Sequence, residues 1–266
     1  MIGFNYLGKL GQLGNQMFQY AATMSAAHSI GTSFCVPNHN EIFDDGIGNK
    51  LRIELYEAFD IKPERVGYIP TNNNYQEQDF PFDDSLFKLE GDWNLIGYFQ
   101  SEKYFSHISD KIRKEFTFNE WIREDCDPIA VQFDNPVALH IRRGDYLINS
   151  ANHHNLSLKY YEKALEEFDS DRQVIIFSDD PYWCMEQELF SDDRFEVAQD
   201  IGSHHTLYLM TQCNDFIIAN STFSWWGAWL ANRGKVIAPA TWFGPNNAHK
   251  SIKDLYPEHW TILNYS

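Results

Sequence analysis

The sequence predicts an α/β protein built on parallel, doubly wound sheets, and three observations lead there. From residue 137 onward, short apolar runs alternate with amphipathic helical stretches, the order in which each strand is followed by a crossover to its parallel neighbour. Near the start, an apolar run passes through Gly8-Lys-Leu-Gly-Gln-Leu-Gly14 into a helical pattern, which is half of a nucleotide-type βαβ unit. The chain has 266 residues, 43% of them hydrophobic, enough for one large domain or two ordinary ones.

Residues 2–7 read as the first strand. Residues 15–30 read as a helix that buries Met17, Phe18, Tyr20, Ala21, Met24 and Ala27 and stops at Gly31. The loop spacing G-x-x-G-x-x-G differs from the dinucleotide G-x-G-x-x-G, and no acidic residue stands at the expected distance, which argues against an NAD site. Asn15 and Gln16, at the helix start, are the polar residues placed to meet a ligand. Residues 32–36 return as a strand, 51–59 are weakly helical, and 71–79 form a polar loop. A strand over 93–99 and a helix over 101–118, capped by Ser101, follow. Asp125-Cys-Asp-Pro128 is the best break and divides 1–128 from 129–266. Strands are then expected over 137–141, 174–177, 194–198, 215–219 and 235–238, with helices over 157–168, 181–189, 205–213 and 222–232.

Ligands of such sheets bind beyond the carboxyl ends of the strands, so the residues after each strand are the informative ones. Three of these segments are polar. His140-Ile-Arg-Arg-Gly-Asp145 delivers Arg142 and Arg143 to a strand end, where guanidinium forks suit phosphate and a glycine admits a ligand close to the backbone. Ser178-Asp179-Asp180 precedes Pro181, and a carboxylate there can accept the N1–H and exocyclic amine of guanine. Asn220-Ser221-Thr222-Phe-Ser224 opens the last helix, with hydroxyls and free N–H groups to receive a phosphate. The plainer alternatives are ion pairing for the arginines, a helix start for Asp179 and Asp180, and simple capping for the three hydroxyls. Trp225, Trp226 and Trp229 are expected in the core.

A net charge of −17 argues against nucleic acid or a polybasic membrane clamp as partner. No basic-then-apolar start is visible, and no apolar run approaches the ~18 residues of a membrane span. Cys35, Cys126, Cys184 and Cys213 lack a C-x-x-C and read as reduced thiols of a cytoplasmic protein, with peripheral contact at the inner membrane face as the extension. His153-His154 and His204-His205 lack ligand spacing and read as surface residues rather than metal sites. Asp125-Cys-Asp127 follows a helical stretch and Asp169-Ser-Asp171 precedes its strand, so neither D-x-D is placed for a metal–diphosphate site. The arginines would neutralise the leaving group instead.

Gly11-Gln-Leu-Gly-Asn-Gln-Met-Phe-Gln-Tyr-Ala21, His140-Ile-Arg-Arg-Gly-Asp-Tyr146, Phe177-Ser-Asp-Asp180 and Ile218-Ala-Asn-Ser-Thr-Phe-Ser-Trp-Trp-Gly-Ala-Trp-Leu230 together resemble the bacterial-type α-1,2-fucosyltransferases of glycosyltransferase family 11, as do Trp242-Phe and Asp254-Leu-Tyr-Pro-Glu-His-Trp260. The resemblance implies a GT-B architecture, two Rossmann-like domains facing across a cleft, the first shaping the acceptor site and the second holding GDP-fucose. It implies inverting transfer from GDP-β-L-fucose to the 2-hydroxyl of a galactose-terminated glycan, with no metal or other cofactor, in building a cell-surface polysaccharide or glycoconjugate. It places Arg142 on the diphosphate and His140, with Asp179 or Asp180, near guanine. Asp145 is the first candidate for deprotonating the acceptor, with orientation of the arginines as the alternative. Gln12 interrupts the family's usual Gly-Gly, and His204-His205-Thr206 stands where the family often has an acidic residue, so any ribose or acceptor contact made by that residue must differ here. The alternatives are a GDP-sugar transferase of another linkage or sugar and a non-catalytic glycan-binding protein.

Overall fold

A computed structural model describes residues 1–46 and 48–265, which form two compact units. The first comprises Met1–Asn119 with Lys250–Pro257, and the second Glu120–His249 with Glu258–Ser266.

The first unit's main sheet holds β1 (Ile2–Gly3), β2 (Phe34–Val36), β5 (Arg65–Val66), β6 (Asn74–Gln76) and β7 (Trp93–Ile96) in the order β5-β2-β1-β7-β6, all pairings parallel. A separate antiparallel pair joins β3 (Phe43–Asp44) to β4 (Lys50–Leu51). Helix α1 (Leu13–Ser29) buries 13 of its residues, which explains its length despite several small residues. Its end is a Schellman motif. The Thr32 N–H reaches the Ala27 carbonyl, the Gly31 N–H reaches that of His28, and Gly31 takes φ 69°, a value that favours glycine. The short helices α2 (Leu55–Ala58) and α3 (Ser109–Glu115) complete this unit.

The second unit runs α4 (Glu120–Ala130), β8 (Val137–Ile141), α5 (Gly144–Ile148), α6 (Leu158–Leu165), β9 (Val174–Ser178), α7 (Pro181–Met185), β10 (Phe195–Val197), α8 (Ser203–Gln212), β11 (Asp215–Ile217), α9 (Thr222–Ala231), β12 (Val236–Pro239) and β13 (Thr261–Leu263). Its strands form one parallel sheet in the order β10-β9-β8-β11-β12-β13. Val137, Leu139 and Ile141 face one core layer with Tyr160, Ile176 and Ile217. Trp225, Trp226 and Trp229 of α9 are buried against one another, and Trp225 packs on Trp260, as expected of core aromatics. The predicted α/β class with parallel sheets is therefore present in both units.

Several expectations need correction. Residues 74–76 are a strand, because Asn74, Tyr75 and Gln76 pair with Asn94, Leu95 and Ile96 although their exposed face reads as a polar loop. The expected 101–118 helix is two single turns, Glu102–Tyr104 and Ser106–Ile108, followed by α3. Phe105 leaves helical geometry at φ −138°, so that adjacent Tyr104 and Phe105 both bury. The break expected at 125–128 is helix: Ile122 and Cys126, four apart, bury one face, and Tyr208 on α8 donates its hydroxyl to Asp127. The change of unit comes at Asn119/Glu120, not at 128, and residues 250–257 return to the first unit. The Asp125-Cys-Asp127 triplet thus lies within α4 rather than after a helical stretch.

Candidate active site

The sheet of the second unit reverses its winding between β8 and β11: the chain builds outward from β8 through β9 to β10, then returns to add β11, β12 and β13 on the other side. Such a switch point leaves the two flanking strand-end loops splayed apart and free to take a ligand. Here those loops are Arg142–Gly144 and Asn220–Ser221, and Tyr146 ties them by donating its hydroxyl to the Asn220 carbonyl at 3.0 Å.

Strand alternation sets what β8 delivers. His140 turns away from the Leu139 layer and lies under Phe223 at the start of α9, with ring centroids 5.7 Å apart. It is 4% exposed. Burial, with the nearby Arg142 cation, pushes its pKa down to about 3, so it is neutral at ordinary pH. Its Nδ1 is buried and has no hydrogen-bond partner among the described residues, which leaves one polar atom of the site for a ligand.

Arg142 donates to Asp145 Oδ1 at 2.7 Å and lies 3.2 Å from Asp179 Oδ2. Burial disfavours its charge, but Asp179 and then Asp145 more than offset that and hold it cationic. Arg143 donates from Nε to Asp180 Oδ2 at 3.0 Å and stacks on Trp183, 3.8 Å from the ring centroid. Asp179 also accepts the Arg143 backbone N–H at 2.8 Å, and a Cβ on Gly144 would stand 2.5 Å from Asp179 Oδ2. The glycine therefore admits a carboxylate, where the sequence reading expected it to admit a ligand. Asp180 caps α7 through the Trp183 N–H, while its own N–H donates to Ser178 Oγ.

The three acidic residues are thus engaged with the arginines. Ser221 sits at the N-cap of α9 without bonding its side chain to the helix, and Thr222 beside it is partly exposed. Ser224 is fully buried and donates back to the Ser221 and Ala219 carbonyls, so it is closed to a ligand.

Beyond β9 and β10 lies a cavity of about 330 Å³, lined by Ser178, Asp179, Ala198, Asp200, Gly202 and Thr206, among others. Asp200 takes φ 55°, uncommon for a residue with a side chain, and has no hydrogen bond or ion pair to another described residue. Sequence reasoning missed Asp200 and Thr206. The strand-end rule applied to the expected strand 194–198 would have found both.

Asn15 and Gln16 belong to the first unit. Gln16 is fully buried, donating to the Gly11 and Arg52 carbonyls and accepting the Glu54 N–H, so it braces the glycine loop and cannot meet a ligand. Asn15 is partly exposed and accepts from Gln100 at 2.9 Å. The paired histidines are packed rather than superficial. His153 stacks on Tyr146 at 4.1 Å, His154 bonds the Tyr265 hydroxyl, and His205 meets Asp125 at 3.1 Å. Among the described residues, no cluster of His, Cys, Asp or Glu has the makings of a metal site, and no helix is long and apolar enough to cross a membrane.

Relatives similar in sequence cover from two thirds to nearly all of the chain. The O-antigen biosynthesis glycosyltransferase WbnK of Escherichia coli is 29% identical over 92% of this chain and 96% of its own. An alpha-1,2-colitosyltransferase of Escherichia coli is 34% identical over 66% and 64% of the two chains. Galactoside alpha-(1,2)-fucosyltransferase 1 of Rattus norvegicus is 26% identical over 96% and 71%. The crystal structure of POFUT1 in complex with GDP superposes with TM-score 0.56 at 14% identity, covering 87% of this chain and 94% of that one; at that identity the likeness is one of fold, the GT-B type. The model of Glycosyl transferase family 11 matches residues 2–264, spanning the glycine loop, the arginine pair and the tryptophan helix alike, and the chain belongs to that family.

Proposed function

We propose that the protein transfers L-fucose from GDP-β-L-fucose, with inversion and without a metal, to the 2-hydroxyl of a terminal galactose on a cell-surface glycan. The observation that carries this reading is the pair Arg142 and Arg143 at the β8–β11 switch point, opposite the start of α9. In it, the second unit holds the donor. The diphosphate lies between the guanidiniums and the α9 N-terminus, where Ser221, Thr222 and the first N–H groups meet it. Three carboxylates around two guanidiniums fix orientation at the expense of net positive charge, so binding there relies on directed N–H groups. The nucleoside occupies the cavity beyond β9 and β10, with Asp200 as acceptor for the guanine N–H edge and His140 Nδ1 as a further polar contact.

Reaction would break the bond from fucose C1 to the β-phosphate oxygen through an oxocarbenium-like transition state. Arg142 stabilises the charge gathering on that oxygen, an effect on the order of several kcal/mol in a water-excluded site. Asp145, paired with Arg142, orients it. The names of the rat and Escherichia coli relatives support an α-1,2 linkage. The 34% identity to a colitosyltransferase favours transfer of colitose as a second reading.

The test is incubation with GDP-fucose or GDP-colitose and a β-galactoside, with linkage analysis of the product and a parallel reaction in EDTA. A 2-O-fucosyl galactoside formed at the same rate with chelator is expected. Product only from GDP-colitose would select the second reading, and loss in EDTA reversed by Mn²⁺ would overturn metal independence.

A further inference from the structure

A buried side chain bridges the two loops of the switch point in the second unit. Tyr146 follows Asp145 on α5, so neighbouring residues hold the same guanidinium. Asp145 does so by a hydrogen bond at 2.7 Å, and Tyr146 through its ring, whose centroid lies 5.4 Å from the centre of the Arg142 guanidinium. The Tyr146 hydroxyl then donates across to the Asn220 carbonyl at 3.0 Å, one residue before Ser221 and the start of α9. Burial pushes that hydroxyl well above its ordinary range in spite of the Arg142 cation nearby, so it remains a donor across the working range of pH.

Both ends of the bridge are fixed. The Tyr146 ring stacks on His153 with centroids 4.1 Å apart and 14° between planes, and its backbone carbonyl accepts the Asn155 side chain at 3.2 Å. Asn220 donates its own amide to the His154 and Trp242 carbonyls, each at 2.8 Å, which anchors the carbonyl that Tyr146 reaches. The brace thus runs from the guanidinium to the first turn of α9 through groups that all have partners.

We propose that the Tyr146 hydroxyl sets the gap between Arg142 and the start of α9, and thereby makes the site select a nucleoside diphosphate over a monophosphate. This rests on the reading above, in which the diphosphate lies between those two groups. A diphosphate must satisfy the guanidinium and the helix N–H groups together, so its binding depends on their separation. A monophosphate has a single phosphate to place and meets one side with the other left to water. The three carboxylates around the two guanidiniums strengthen the argument. With the local charge largely offset, affinity comes from donors aimed at fixed points, and aim is what a loop brace controls.

Calorimetric titration of GDP and GMP into the wild type, Tyr146→Phe and His153→Ala decides the matter. Tyr146→Phe keeps the ring beside Arg142 and removes the bridge alone. It should bind GDP about tenfold more weakly and GMP no more than about threefold more weakly, so that the wild-type preference for GDP shrinks. A tyrosine that served the core alone would weaken both nucleotides alike, and an unchanged ratio therefore overturns the proposal. The GMP affinity also reports folding. Should Tyr146→Phe bind neither nucleotide, His153→Ala, which frees the ring while keeping the hydroxyl, should lower the ratio by about threefold or more; an unchanged ratio there overturns it equally. A wild type with no preference for GDP, or with affinity for neither nucleotide, would instead sink the reading of the donor site.

Discussion

Asp179 lies 3.2 Å from the Arg142 guanidinium and holds it from a position that only a glycine at 144 leaves open. The carboxylate is fixed from the other side by the Arg143 backbone N–H, so it has no easy retreat. Gly144→Ala would place a methyl 2.5 Å from Asp179 Oδ2 and force carboxylate and guanidinium to shift together. Misplacement of a positioned group costs rate more than it costs stability. We expect kcat/KM to fall about tenfold or more with the thermal midpoint nearly unchanged. Wild-type kcat/KM in this variant would mean that Asp179 does not position Arg142.

Arg142→Lys tests geometry against charge. A lysine keeps the cation but cannot meet Asp145 and Asp179 at once through a planar fork. Transfer should drop on the order of a hundredfold or more while near-UV dichroism stays native, since the residue follows β8 rather than packing within it. A rate within about threefold of wild type would remove the fork from the mechanism.

How legible these features were follows from which signals are local. The parallel sheet of the second unit, its strand order apart, could be read from Val137 to Pro239 because fully buried strands are continuous apolar runs. The Arg142–Asp145 cluster could be read because strand ends are where such sheets carry their chemistry. Asn74–Gln76 could not, since a strand whose outer face is exposed looks like a loop until its partner is known. Gln16 and Ser224 look like ligand groups in one dimension and are consumed by backbone carbonyls in three. Asp179 was singled out for its place after a strand, but its pairing with Arg142, 37 residues away, could not be, because long-range pairing of that kind leaves no local trace.

Asp200 gives a test of the nucleoside seat. If its carboxylate accepts from guanine, the wild type should prefer GDP to IDP, which lacks the exocyclic amine. Asp200→Asn should erase that preference, weakening GDP by about tenfold or more while leaving IDP little changed. Competition by both nucleotides against donor turnover measures the ratio. An unchanged ratio would move the guanine contact elsewhere in the cavity.

His140 links the site to the pH dependence of stability. In the folded chain burial keeps it neutral down to about pH 3, whereas once unfolded it takes up a proton near its ordinary 6.5. Between those values the unfolded state binds more protons, so the contribution is full above 6.5 and is lost as pH falls toward 3. The slope of one such group approaches ~1.4 kcal/mol per pH unit. His140→Leu removes the proton site while filling the space beside Phe223. Urea unfolding at pH 6.5 and pH 5, the interval least disturbed by carboxylates, should therefore show the wild type losing more stability than the variant, by roughly 1–2 kcal/mol. Equal losses in the two proteins would show that His140 is already protonated in the folded state, and an imidazolium Nδ1 would then be a donor to the ligand rather than an acceptor.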